Sequence, residues 1–286
     1  MPINLMQLGV ALATKESSLE WLQSNGILPK TRKCPYCGTV LTVNLSESEY
    51  GKFRCQKNHG DNGSFRQSVT ANTWLEGTRM SARQVIALTY SYARDYNYDT
   101  AVIESSFDGK KTSRETVADW YNYCRELCGN ILKTTYSDMG QIGGDGHVVE
   151  VDECKIGRRK FNKGRLVEGT WVIGMIDIHT NDLRLEVCRD NKRGAITLLS
   201  QIKNNVEEKS VIITDCWKGY MGLDQNGFEH LTVNHSLNYI DPDTGANTNQ
   251  IESQWRPLRQ ELARRGVKND SMGEHLLEFL WQSGHI

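Results

Sequence analysis

The chain has 286 residues, enough for a buried core and for more than one domain, and its charges nearly cancel, with 34 Lys and Arg against 35 Asp and Glu and a pI near 6.7. That balance does not advertise nucleic-acid binding, although a local basic cluster says more than the total. No apolar run approaches the roughly eighteen residues of a membrane helix, and eight cysteines in a chain of this size do not suggest a disulfide framework.

The opening stretch, "MPINLMQLGVALATKESSLEW", lacks the basic start of a signal peptide and is interrupted by Lys15, Glu16 and Glu20. It reads as a short amphipathic helix of an intracellular, reduced protein. "CPYCG" then places Cys34 and Cys37 on a tight turn, and "FRCQKNHG" supplies Cys55 and His59 as a second short-spaced pair. Two such pairs of soft ligands suit a closed tetrahedral zinc site. The segment between them, "TVLTVNLSESEYGKFR", alternates like a hairpin that would bring the pairs together. The plainer alternative is two buried cysteines beside an unrelated histidine. The other five, Cys124, Cys128, Cys154, Cys188 and Cys216, read as small core residues.

A helical region follows. "SARQVIALTYSYARDY" opens with Ser81 and Gln84 in a capping-box pattern, with Val85, Leu88 and Tyr92 on one face. "DTAVIESSF" is a short helix, and "KKTSRETVADWYNYCRELCGNIL" starts a third, with Thr112 and Glu115 as its box. Val117, Trp120, Cys124, Leu127 and Ile131 form its apolar stripe. Three helices with Lys110, Lys111 and Arg114 at the start of the third fit a helix-turn-helix-like unit meeting DNA phosphates. They fit a plain helical packing region as readily.

After a Gly143, Gly144, Gly146 linker the pattern changes. "HVVEVDECKI", "TWVIGMIDI" and "LRLEVCRD" read as strands, with "HTND" as the turn between the last two. "GAITLLSQIKNNV" reads as a helix and "SVIITD" as a buried strand running into more helix at "CWKGYMGL". This is an α/β layer fold around a mixed sheet. Asp152 lies inside an apolar strand, and Asp215 ends a buried one, where α/β sheets build their sites. Unpaired buried carboxylates are costly and usually serve a cation, although sheet-end caps or salt bridges would also explain them. Glu252 follows a turn-rich segment, on a helix whose Ile251, Trp255, Leu258 and Leu262 share a face. Pro257 either kinks that helix or lies in its first turns.

The segments "VVEVDECKIGRRKFNKGRLVEGTWVIGMID", "IITDCWKGY" and "LTVNHSLNYIDPDTGANTNQIESQWRPLRQEL" resemble transposases of the Merlin superfamily, relatives of bacterial insertion-sequence transposases. Weaker likeness runs back to the CPYCG knuckle, so nearly the whole chain is covered. The resemblance implies an RNase H-like mixed-sheet catalytic core of the DDE type. It makes Asp152, Asp215 and Glu252 the catalytic triad and ligands of Mg²⁺ or Mn²⁺, and Arg259 the basic residue common after the glutamate. The family often has cysteine at the position of His59, and Pro257 is also a departure. The implied activity is cleavage at the terminal repeats of a DNA element and joining of the freed 3′-hydroxyl to target DNA.

Partners would be double-stranded DNA and further copies of the chain, in a homodimer or higher homo-oligomer, with no membrane. The location would be the nucleus in a eukaryote, or the cytoplasm and nucleoid in a bacterium. Basic residues beside the triad, Arg158, Arg159 and Lys160 after Asp152 and Arg256 and Arg259 after Glu252, would track the DNA backbone. The expected division is a zinc-knuckle module over 1–80, a helical DNA-binding region over 81–142, and a catalytic core over 143–286. A transposase-derived DNA-binding regulator without catalysis, or an RNase H-like nuclease, is the alternative.

Overall fold

The computed structural model describes the chain except residues 1–3, 47, 158–167, 236, 238, 239, 266, 268, 285 and 286, and except the side chains of 5, 264, 265 and 269. Two compact units result, Met1–Cys124 and Arg125–Ile286. Each builds its own core.

The first unit opens with two helices rather than the single one expected, α1 (Leu5–Ala11) and α2 (Lys15–Ser24). Asn4 and Thr14 each close a capping box and so start a separate helix. Four short strands follow, β1 (Thr31–Lys33), β2 (Val40–Asn44), β3 (Lys52–Arg54) and β4 (Arg66–Ser68), in an antiparallel sheet of that order. The expected hairpin is β2–β3, with Val43 opposite Phe53. Gly51 is required at its turn. It has φ +77°, and a Cβ there would meet the Asn44 carbonyl at 2.7 Å.

Helices α3 (Ala82–Ala93), α4 (Tyr98–Glu104) and α5 (Arg114–Met139) complete the unit's elements. Ser81 caps α3 as expected. The cap at the start of α5 is Ser113, which accepts from the Thr116 amide. Thr112 is buried and uses its hydroxyl on the Ser105 carbonyl instead. On α5, Val117, Trp120 and Cys124 are buried but Leu127 and Ile131 are each 42 % exposed. Beyond Cys124 burial passes to Arg125, Cys128 and Leu132, because that half of the helix packs within the second unit, where Arg125 bonds Glu278 at 2.8 Å.

The second unit is a mixed α/β fold. Its strands are β5 (Ile142–Gly143), β6 (Val148–Ile156), β7 (Thr170–Asp177), β8 (Leu183–Val187), β9 (Val206–Glu207), β10 (Val211–Asp215) and β11 (Glu229–Val233). The five long ones form a sheet in the order β11-β10-β6-β7-β8. The β6–β7–β8 meander is antiparallel, and β10 and β11 run parallel to β6. Helix α6 (Ala195–Asn205) covers one face over Val149, Val151, Ile173 and Ile212. Helices α7 (Asn249–Arg265) and α8 (Met272–Ser283) cover the other over Cys154, Val172 and Leu185.

Several details differ from the sequence reading. "CWKGYMGL" forms a 3₁₀ turn rather than a helix, and neither β11 nor α8 was anticipated. Helix α7 runs from Asn249 through Pro257, so Pro257 lies well inside it rather than in its first turns. Pro257 and Ser253, whose carbonyl loses its helical donor, both face solvent, where water can supply one. None of the eight cysteines is in a disulfide, and Cys216 is exposed rather than in the core. No helix of the described residues is long and apolar enough to cross a membrane.

Candidate active site

Strand β6 alternates, so residues 150, 152 and 154 face α7 while 149, 151 and 153 face α6. The α7 side is a row of three anchor points. Glu150, buried, accepts from the amides of Gln250 and Ile251 at 2.8 and 2.9 Å, closing the first turn of α7 from a distant strand. Asp152 accepts from the Trp255 indole at 2.7 Å, and the Cys154 thiol meets Arg259 Nε at 3.1 Å. Opposite Asp152 on β7 stands Gly174. A Cβ on Gly174 would meet the Trp255 ring at 2.6 Å and Ile251 at 2.7 Å, so only glycine lets the indole lie across β7 and reach the carboxylate.

Asp152 and Asp215 lie close together. The β6–β10 register pairs Ile213 with Glu150 in parallel, and continued two residues it sets Asp215 beside Asp152. Burial raises the Asp152 carboxyl to about 6; the Trp255 bond opposes the rise, and the charges of Glu153 and Asp215 add to it. Asp215 accepts from the amide of Trp217 at 2.9 Å, a local turn that aims its carboxylate.

Glu252 is in the first turn of α7, its carboxylate held by the Thr248 hydroxyl at 3.1 Å and His235 Nε2 at 3.2 Å. The preceding "DPDTG" is the expected turn, with the Asp241 carboxylate accepting from the amides of Asp243 and Thr244. Elements carrying the three carboxylates are thus packed together. Among the described residues, however, their oxygens do not converge to within 4.8 Å of one another as a metal cage.

One group of the described residues does converge in that way: Cys34, Cys37, Cys55 and His59. The Cys34 sulfur is 3.5 Å from His59 Nε2, and the sulfurs of Cys37 and Cys55 are 3.8 Å apart. A tetrahedral ion at ~2.3 Å from sulfur and ~2.0 Å from nitrogen sets those separations near ~3.5 and ~3.8 Å. The Thr39 hydroxyl, and then its backbone, holds the Cys37 thiol down at about 7, which favours the thiolate that a metal takes. This Cys3His group can hold zinc.

The basic residues are placed as follows. Arg158, Arg159 and Lys160 lie outside the described residues. Arg256 is exposed on α7, and Arg259 is exposed but tethered to Cys154. Lys110 and Lys111 are exposed on the turn before α5, and Arg114 pairs with Asp99 beside the Tyr98 ring.

Sequence reasoning passed over two further groups. One is the Glu150 and Gly174 pair that docks α7. The other is Glu153, buried on the α6 side, held by Arg193 at 2.6 Å and by the Tyr220 hydroxyl, with Arg193 stacked between the Trp171 and Trp217 rings. The alternation of polar residues along β6 was the signal for Glu150; nothing local marked Arg193 as its neighbour's partner.

A mixed sheet with two carboxylates on adjacent parallel strands, and a third on a helix docked to it, defines a class of acid-lined α/β site. The chain belongs to the ISXO2-like transposase domain family, whose model matches residues 140–283. Over 87 residues it is 28 % identical to an uncharacterized transposase-like protein of Haemophilus influenzae, spanning 30 % of this chain and 69 % of that one. It also resembles the catalytic core domain of BIV integrase at 12 % identity and a TM-score of 0.31, over 48 % of this chain and 80 % of that structure.

Proposed function

We propose that the chain is a DDE transposase that binds the terminal repeats of a DNA element, cleaves there, and joins the freed 3′-hydroxyl ends to target DNA. The observation that carries the reading is the adjacency of Asp152 and Asp215 across the β6–β10 pair, with α7 and Glu252 braced on the same strand, inside the matched transposase domain. The sheet order supports it: a three-strand antiparallel meander extended by two parallel strands is the RNase H-like arrangement. The nearer likeness to Merlin elements is carried by the quoted motifs alone.

Asp152, Asp215 and Glu252 offer hard oxygen donors suited to Mg²⁺ or Mn²⁺. Two divalent ions held by them would supply an activated water and a stabilised leaving oxygen for in-line displacement. The chain's own residues do the positioning. Glu150, Trp255 and Gly174 hold α7 on β6, and exposed Arg256 and Arg259 meet backbone phosphates beside the site, as Arg158, Arg159 and Lys160 would by sequence. Cys34, Cys37, Cys55 and His59 hold a structural zinc ion. An element has two ends, so a homodimer or higher oligomer on DNA follows from the reading. The three regions expected from sequence, 1–80, 81–142 and 143–286, would divide the labour into end recognition, docking and chemistry.

The test is an excision and strand-transfer assay with matched element ends in Mg²⁺. The wild-type chain should cut and join, whereas Asp152→Asn, Asp215→Asn and Glu252→Gln should bind the ends and leave them uncut. Wild-type cutting by Glu252→Gln would reject the triad.

A further inference from the structure

The sheet alone does not hold Asp152 and Asp215 together. Hydrogen-bonded pairing of β10 with β6 runs from Val211 to Ile213, opposite Val148 to Glu150, and stops two residues short of both aspartates. On its other side β10 stays paired with β11 as far as Asp215 itself, opposite Val233. The end of β10 that carries Asp215 is therefore bound to β11 by backbone and needs another tie to β6.

Glu153 supplies one. It follows Asp152 on β6 and points to the opposite face, under α6, where its side chain is 1 % exposed. A carboxylate so placed is costly unless its oxygens are met. One accepts from Arg193 Nη1 at 2.6 Å and the other from the Tyr220 hydroxyl. Tyr220 ends the 3₁₀ turn Lys218–Tyr220 that follows Asp215, so this bond fastens the Asp215 loop directly to β6.

Arg193 fastens the nearer end of the same loop. Its carbonyl accepts from the Trp217 indole at 3.3 Å, and its guanidinium lies 4.1 Å from the Trp217 ring centre and 4.3 Å from that of Trp171 on β7. The Trp217 amide in turn donates to Asp215 at 2.9 Å. Gly219 lets the turn close on the indole: a Cβ there would lie 2.5 Å from Trp217 Nε1 and 2.9 Å from Leu198. The segment carrying Arg193 is itself sewn to β7. The Asn191 side chain accepts from the Trp171 amide at 2.7 Å and donates to the Gly169 carbonyl at 2.9 Å. A continuous path thus runs from Asp152 through Glu153, Arg193 and Trp217 to Asp215.

We propose that Arg193 is a positioning residue for the carboxylate pair: with Tyr220, it sets the separation of Asp152 and Asp215 by fixing the Asp215 loop on Glu153. The proposal rests on the transposase reading, which makes the pair ion ligands, and extends it to a group on the other face of the sheet. An Mg²⁺ ion shared by two carboxylates needs an oxygen of each within ~2.1 Å, so a loop free to drift loses the ion.

The experiment measures Mn²⁺ binding to the full-length, zinc-loaded chain without DNA, by electron paramagnetic resonance of the free ion, beside binding and cutting of the element-end duplex. Asp215→Asn first identifies the ions held at the pair. Arg193→Ala should weaken their binding by ~10–100-fold, the usual effect of losing a ligand's supporting contact, and slow cutting with duplex binding unchanged. Arg193→Lys, which keeps a cation for Glu153 but no flat group between the rings, should recover part of the loss. Tyr220→Phe leaves the ion pair intact, should weaken Mn²⁺ binding in the same direction, and decides the matter if Arg193→Ala does not fold. Wild-type Mn²⁺ affinity in folded Arg193→Ala, or failing that in Tyr220→Phe, rejects the proposal: Glu153 and Arg193 are then a core ion pair, and the transposase reading stands. Mn²⁺ binding that Asp215→Asn leaves unchanged means that no ion sits at the pair, and rejects both.

Discussion

Asp152 is half-buried under an indole, with a second carboxylate beside it, and its carboxyl is raised to about 6 from the ordinary 3.8. The sign of the consequence is fixed by linkage. Between those two values the unfolded chain has released its proton while the folded chain keeps it, so this group's contribution to stability falls as pH rises and levels off above about 6. Asp152→Asn keeps an acceptor for Trp255 and removes the charge. The metal-free variant should therefore be more stable than wild type at neutral pH by on the order of 1–2 kcal/mol, unfolding at a higher temperature, and the difference should vanish near pH 4. Calorimetry over that pH range, run beside the cutting assay, checks this. A variant that is inactive and no more stable than wild type would mean that the Asp152 charge is already compensated within the protein.

At the scale of elements, the site depends on how α7 meets β6. The helix buries Ile251, Trp255, Leu258 and Leu262, a periodicity plain in the sequence. Its axial position is set by contacts that periodicity does not show: the Glu150 carboxylate on two backbone amides and the bare Cα of Gly174 beneath Trp255. Glu150→Ala leaves those amides without their acceptor and should cost roughly 2 kcal/mol in urea unfolding, whereas Glu150→Gln, which keeps a carbonyl acceptor, should cost less. Gly174→Ala should cost about 1–3 kcal/mol by overpacking and shift Trp255 from Asp152. Trp fluorescence and cutting rate would report that shift together; an unperturbed spectrum with normal cutting would show that the helix yields without cost.

Considered whole, the molecule has two units with different sources of stability. The sheet of the first is built from strands of three to five residues, and its knuckle turns bring Cys34, Cys37, Cys55 and His59 to ligand spacing. Strands so short bury little by themselves, and a metal bound at that spacing would contribute to their folding directly. Removing zinc with a chelator, or replacing Cys55 with Ser, should release one zinc per chain and expose the amides of β1–β4 to hydrogen exchange. The five-stranded sheet should stay protected, because its two faces bury separate apolar clusters. Protection unchanged across β1–β4 after complete zinc removal would show that the cysteines serve as core residues alone.

The sequence by itself determined many local features: strands β6, β7, β8 and β10 and helices α6 and α7 of the second unit, the Ser81 cap, the turn at Asp241 and the two ligand pairs of the knuckle. Each is written in neighbouring residues, through alternation, helical period or capping chemistry. It marked Asp152, Asp215 and Glu252 as well, the first two as acids in strands too apolar to hold them idly and the third through family likeness. Tertiary structure alone decided what depends on distant partners. The α5 stripe changed face after Cys124 because a different unit receives each half of that helix. Ser113 rather than Thr112 caps α5 because Thr112 is drawn inward to Ser105. Glu150 became the cap of a helix a hundred residues away, and Gly174 the gap through which Trp255 reaches Asp152. A one-dimensional pattern records which face a side chain occupies; only packing decides what it meets there.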